Sequence, residues 1–278
     1  EIRDSSLHQF MGVVVVISSV VALAVAGVIW FDVTNSLSAA IHSLSFRLLR
    51  LSVWLPTGVA YAFFYASRYN VAAGNVESVR DDLGLTSGQF ASVITAGFWT
   101  YAITAPVTGM LSDKMGGRKG LLVSSVGTGV SNLVLGYLFH ERKAGFATFI
   151  FLYSLNIFWQ GFGTSAVVKV NAGWYTTLER GVFSGIYNVL LTSGYYMALG
   201  GCPVVIATLG WEYVFLIPGG MLVVCAFTML LLLKETPEEF YKQLAAASSG
   251  TEDDQAPLLE SGEGKGSKGS KGGYGSAS

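Results

Sequence analysis

Arg68 is the first charge in a long run that begins at Leu51 and includes "YAFFYASRYN", residues 61–70. An arginine placed in hydrocarbon costs roughly 2.5–3.5 kcal/mol on insertion scales, so it needs a partner or a way out. Tyr61 and Tyr65 precede it by seven and three residues and share its face if the run is a helix. Tyr101, Gln160 and Asn188 stand in other apolar runs. Each residue has two readings. Arg68 either offsets its charge against an anion in a wet cavity or reaches from near a helix end to headgroups. The tyrosines either line a cavity or pack between helices. Gln160 and Asn188 either line a cavity or hydrogen-bond a neighbouring helix. The chemistry on offer is binding. No catalytic triad, metal cluster or nucleotide loop can be read, and "GTGVSNLVLG" is followed by no Lys-Ser/Thr pair. No enzyme, metal or cofactor is expected.

Lipid is the solvent in which these residues must be positioned. The 278 residues are 51% hydrophobic and only 13% charged, about half the charge of a soluble domain. Mean hydropathy is +0.51. A net charge of −1 gives no case for nucleic-acid binding. Cys202 and Cys225 lie in apolar runs and read as packing residues, and His8, His42 and His140 have no metal spacing.

Seven segments approach the ~20 apolar residues needed to span a bilayer: Met11–Phe31, Leu51–Ala73, Gly88–Ser112, Gly120–Phe139, Ala144–Val168, Gly181–Leu209 and Tyr213–Leu233. Pro203 interrupts the sixth, and their many small residues suit close helix contact. The first segment is read as a retained helix. A signal peptide is the other reading, but the segment is long for one and no basic stretch directly precedes it.

Arg47, Arg50, Lys114, Arg118, Lys119, Lys169, Arg180 and Lys234 all fall on one side if every segment spans. That side is expected to be cytoplasmic. The Glu141-Arg142-Lys143 turn runs against the pattern. Residues 236–278 turn polar: Thr236–Ala247 is a candidate short helix, and the Gly/Ser-rich remainder reads as disordered. The expected organisation is an extra N-terminal helix and linker (1–47), a six-helix unit (48–235) and a polar tail (236–278) on the cytoplasmic side.

Between the third and fourth segments stands "GMLSDKMGGRKG", residues 109–120. As a bare pattern it is a basic hairpin with glycine-assisted helix ends. Its spacing resembles the major facilitator superfamily signature G-x-L-x-D-x-x-G-x-R-K, through Gly109, Leu111, Asp113, Gly116, Arg118 and Lys119; Gly117 stands where a further arginine is usual. "YAFFYASRYN", "DDLGLTSGQF", "WQGFG" and "LERGVFSGIYN" narrow the resemblance to the organophosphate:phosphate antiporters. That family transports glycerol-3-phosphate, hexose phosphates and phosphoglycerate. The similarity runs from about Leu51 to Phe240 and covers only the first of two six-helix halves.

The resemblance implies an all-α integral membrane protein, the N-terminal six-helix half of a transporter, with one added N-terminal helix. It implies exchange of a phosphate ester for inorganic phosphate by alternating access. Arg68 matches the arginine that contacts phosphate, Tyr61, Tyr65 and Tyr101 match cavity tyrosines, and Gln160 and Asn188 are candidate lining residues. A guanidinium offers a planar fork of donors to phosphate oxygens. Gly109, Asp113, Gly116, Arg118 and Lys119 would form a cytoplasmic latch against the second half. Glu179-Arg180 weakly repeats the latch pattern.

Two positions depart from the pattern of the family's glycerol-3-phosphate transporters. Ala105 replaces a second-helix lysine and Leu191 a fifth-helix histidine, so the ester or its binding mode is expected to differ. Lys169 matches a basic position at the end of the fourth helix and reads as a loop or interface charge rather than a substrate ligand. "DQAPLL" in the tail resembles an adaptor sorting signal for endosomal or vacuolar membranes, a motif that often arises by chance. One half supplies one arginine. The chain is therefore expected to be part of a longer antiporter, to pair with a second half or copy, or to act as a transport-dead binding or regulatory subunit. A carrier of a non-phosphate organic anion is a further alternative. The membrane would be the plasma membrane or that of an organelle.

Overall fold

A run of glycine, small and β-branched residues has no water to satisfy its backbone in lipid, so it must close its hydrogen bonds within helices. In the computed structural model, residues 2–238 and 240–242 are described, and no strand occurs among them. The helices are α1 (Ile2–Thr34), α2 (Ser36–Ile41), α3 (Leu44–Ala73), α4 (Glu77–Leu83), α5 (Ser87–Met115), α6 (Gly117–His140), α7 (Phe146–Trp174), α8 (Arg180–Tyr196), α9 (Cys202–Thr208) and α10 (Tyr213–Leu232). A π-helical turn, Met197–Gly201, joins α8 to α9. Pro203, at the start of α9, has no N–H to donate, and the widened turn takes up the mismatch.

Local signals set several ends. Ser43 caps α3 by accepting from Phe46 N at 3.3 Å. Thr86 and Gln89 form a reciprocal capping box on α5. Gly116, at φ 93°, turns the chain between α5 and α6, where a side chain would be strained.

α5, α6, Arg180–Thr208 and α10 are each long and apolar enough to cross a membrane. α3 and α7 are as long, 30 and 29 residues, but carry Arg50, Arg68 and Asn70, and Asn156 and Gln160. The first predicted span lies inside α1, whose long apolar stretch among the described residues is Ser18–Thr34. α7 packs on α5 and α6, α10 on α6 and α3, and α8 on α3, while α1 touches α8, α3 and the π turn. At the α3–α8 crossing a Cβ on Gly194 would lie 2.0 Å from the Ala62 carbonyl oxygen, so the backbones meet directly.

Hydrogen bonds identify the two ends of the bundle. At one end Gly117 N donates to Glu235 Oε1 (2.9 Å), Trp174 Nε1 to Lys234 O (3.0 Å) and Arg118 Nη2 to Leu230 O (2.7 Å). Most of the basic residues gather there. At the other end Trp211 Nε1 donates to Asp82 Oδ2 (2.9 Å) and Arg142 pairs with Asp82 Oδ1 (2.9 Å). Lys143 pairs with Glu141 at 3.1 Å. The turn that breaks the charge pattern is thus neutralised by its own Glu141 and by Asp82 of α4.

Residues from Glu238 onward form a separate unit. Glu238 and residues 240–242 are helical, within the candidate Thr236–Ala247 helix. The Gly/Ser-rich tail and its "DQAPLL" motif lie outside the described residues.

Candidate functional site

α3 places Tyr61, Tyr65 and Arg68 within two turns, all half-buried. Arg68 Nε donates to Gln160 Oε1 of α7 at 2.9 Å. Its guanidinium carbon lies 5.1 Å from the Tyr65 ring centroid and 4.6 Å from that of Tyr101 on α5. Both rings turn the negative face of their π system toward the cation. Tyr101 OH and Thr164 Oγ1 share a hydrogen bond of 3.0 Å, and Tyr61 OH donates to the same Thr164 oxygen at 3.4 Å. Among the described residues no carboxylate pairs with Arg68, and its Nη groups have no partner. Three helices thus deliver a cation, aromatic faces and hydroxyls to one place, and leave the cation uncompensated.

Gln160 is 1% exposed and belongs to this group. Thr164 is a member that sequence reasoning missed; its only signal is its spacing of one helical turn from Gln160. Asn188 makes no contact with these side chains. It is exposed and lines a groove between α1 and α8 with Val20, Val21, Ala24 and Tyr196.

The signature loop is held within this half. Lys169 Nζ donates to the Asp113 carbonyl oxygen, and Arg118 bonds the Leu230 carbonyl as described above. Gly109 packs near Ser165, with 3.2 Å from its Cβ position to the hydroxyl. Lys119 and Asp113 are exposed, and the Asp113 carboxylate has no partner among the described residues.

A second polar cluster was not foreseen. Arg50 counted above as a loop charge, yet it is 1% exposed. Its Nη1 donates to Glu179 Oε1, and its Nη2 to Asp32 Oδ1 and Ser38 Oγ, each at 2.9 Å. Trp54 Nε1 donates to Asp32 Oδ2 at 2.9 Å, and the guanidinium sits 4.1 Å from the Tyr175 ring centroid. Glu179 also accepts from Thr176 Oγ1 (2.8 Å) and meets His42 Nε2 (3.1 Å). Burial alone would raise the Glu179 carboxyl; hydrogen bonds from Arg50 and Thr176, then the Arg50 charge and His42, outweigh it and hold the group at about 2. Asp32 is 18 residues from Arg50, and Glu179 is 129 away. No sequence period could join them.

The Major Facilitator Superfamily model matches residues 57–264. The chain belongs to the major facilitator superfamily. Among its relatives, the Salmonella typhimurium membrane sensor protein UhpC is 26% identical over 202 residues, covering 69% of this chain and 41% of the relative. A probable hexose phosphate transport protein of Chlamydia trachomatis is 23% identical, covering 69% and 41%. The glycerol-3-phosphate transporter of Bacillus subtilis is 26% identical, covering 70% and 43%. The chain spans about two-fifths of the length of these curated relatives, and the matching part is their N-terminal half. For the superfamily member the consequence is a multi-pass, all-helical membrane protein built on the α3–α10 bundle.

Proposed function

We propose that this chain contributes the phosphate-binding half of a secondary transporter. The transporter exchanges a phosphate ester, such as glycerol-3-phosphate, a sugar phosphate or phosphoglycerate, for inorganic phosphate by alternating access. The observation that carries the reading is Arg68: half-buried, walled by Tyr65 and Tyr101, and without a counter-charge among the described residues. Such a cation favours an anionic ligand in a wet cavity. Either anion offsets the charge during the switch between inward- and outward-open states, and an empty carrier leaves it exposed. Tyr61 and Thr164 add hydroxyls. Ala105 and Leu191 supply no second charge, which fits an ester recognised differently from glycerol-3-phosphate.

The second half of the cavity comes from a further six helices, in the same polypeptide or a partner. The exposed Asp113 carboxylate and Arg118 would latch against it on the cytoplasmic face. The tail would share that face, in the plasma membrane or an organelle membrane. A second reading, ligand sensing without transport, is favoured by the relative described as a membrane sensor. A carboxylate-bearing organic anion would use the same arginine.

The test is radiolabelled inorganic phosphate uptake by proteoliposomes loaded with hexose 6-phosphate or glycerol 3-phosphate. Counter-exchange supports the transporter. Saturable phosphate binding without exchange supports the sensor. Exchange with carboxylates alone overturns the phosphate reading.

A further inference from the structure

Four buried side-chain amides run from Arg68 into the bundle core. Gln160 Nε2 donates to Asn156 Oδ1 (3.1 Å), Asn132 Nδ2 donates to the same oxygen (3.0 Å), and Asn70 Nδ2 donates to Asn132 Oδ1 (3.2 Å). These residues, on α3, α6 and α7, are each 1–2% exposed. Side-chain amides of this kind are often simple interhelical contacts. Here their directions are forced.

An amide has an oxygen end and an NH2 end, and its partners decide which way it points. Backbone groups, which have one role each, fix both ends of this chain. Ser67 O can only accept, and it takes Asn156 Nδ2 at 3.1 Å. Asn156 Oδ1 must therefore face Gln160 and Asn132. Gln160 is left with its NH2 on Asn156 and its Oε1 on Arg68 Nε. At the far end Val71 N can only donate, and it takes Asn70 Oδ1 at 2.8 Å. Asn70 Nδ2 then turns to Asn132 and to Val214 O (3.3 Å), and Asn132 Nδ2 also reaches Thr128 O (3.0 Å). Flipping any one amide sets donor against donor or acceptor against acceptor. A buried unsatisfied group of that kind costs about 1–3 kcal/mol.

We propose that Asn70, Asn132 and Asn156 are positioning residues that, through Gln160, present Arg68 to its ligand by the Nη1–Nη2 edge alone. The proposal rests on the reading of Arg68 as an anion site. A guanidinium has two kinds of forked edge, Nε with one Nη, and Nη1 with Nη2. Gln160 occupies Nε and so removes the first. The second has no partner among the described residues. It suits an oxyanion carrying two oxygens on one centre, such as a phosphate head group, approaching end-on.

The test uses the full chain, 15N-arginine-labelled and reconstituted in lipid nanodiscs. The Arg68 Nε–H signal is assigned by its loss in Arg68→Lys. It is expected to exchange slowly with solvent in the wild type. Asn156→Leu and Asn132→Leu should each speed that exchange about tenfold. Inorganic phosphate titrated into the same samples should bind about tenfold more weakly to the leucine variants. Unchanged Nε–H exchange in both leucine variants overturns the proposal, whatever happens to phosphate binding. A global change in all arginine signals of one variant marks unfolding, and the other leucine variant then decides. If exchange behaves as expected but the wild type binds no phosphate, the positioning stands and the phosphate reading of this chain fails.

Discussion

At the scale of single residues, charge and shape are separable demands. Arg68 supplies both: a positive charge beside Tyr65 and Tyr101 and a flat fork of donors. Lysine keeps the charge and loses the fork. Arg68→Lys is therefore expected to abolish phosphate exchange while membrane insertion, read by protease protection of the loops, stays intact. Near-normal exchange by that variant would remove Arg68 from the site. Thr164 makes a milder test. It accepts from Tyr61 and shares a hydrogen bond with Tyr101, so Thr164→Val should leave both phenols without that partner. A several-fold rise in the phosphate concentration for half-maximal exchange, at unchanged maximal rate, is the expected result; a loss of rate alone would place Thr164 in the conformational step. The spacing of Tyr61, Tyr65 and Arg68 was legible in the sequence because all three sit on one helix, where period fixes face. Thr164 was not, because its place depends on how α7 is rotated against α3 and α5.

At the scale of elements, close approach and capping dominate. The Ala62 carbonyl leaves no room for a side chain at Gly194. Gly194→Val forces α3 and α8 apart and should cost about 1–3 kcal/mol, read as a lower melting temperature in detergent. Gly185 lies on the same helix with open space around its Cβ position, so Gly185→Ala should be neutral or slightly stabilising. Equal effects at the two positions would deny the contact. The signature loop belongs to this scale too. Lys169 and Arg118 hold it by backbone carbonyls and leave the Asp113 carboxylate exposed. Asp113→Asn is expected to slow exchange more than it weakens substrate binding; an equal effect on both would argue against a latch.

At the scale of the molecule, the Asp32–Arg50–Glu179 cluster ties α1 to α3 and to the start of α8. Removing one partner of a buried ion pair is costly, about 3–5 kcal/mol. Arg50→Met leaves two buried carboxylates facing each other and should lower the melting temperature more than any surface charge change. Glu179 adds a pH dependence of definite sign. Its carboxyl is held below its ordinary value of 4.5, at about 2. The stabilisation is fully present above pH 4.5 and is lost as pH falls toward 2. Across that window the wild type should lose more stability than Glu179→Gln; parallel curves would show that the carboxylate is not held by the cluster.

The sequence by itself determined the solvent, the helices and the family. Apolar runs of spanning length leave the backbone no choice but helix, and the Gly109–Lys119 spacing is local to one turn. It also marked Arg68, since a charge in such a run is conspicuous. Tertiary structure alone decided what each polar residue faces. Arg50 adjoins a loop in the sequence, yet the packing of α1 and α8 buries it between two carboxylates. Asn188 looks like Gln160 in its run, but one contacts Arg68 and the other a groove beside α1. The links of the directed amide chain that cross between helices join residues 24 to 92 positions apart. Its orientation follows from backbone groups at both ends, which come together only when α3, α6 and α7 pack.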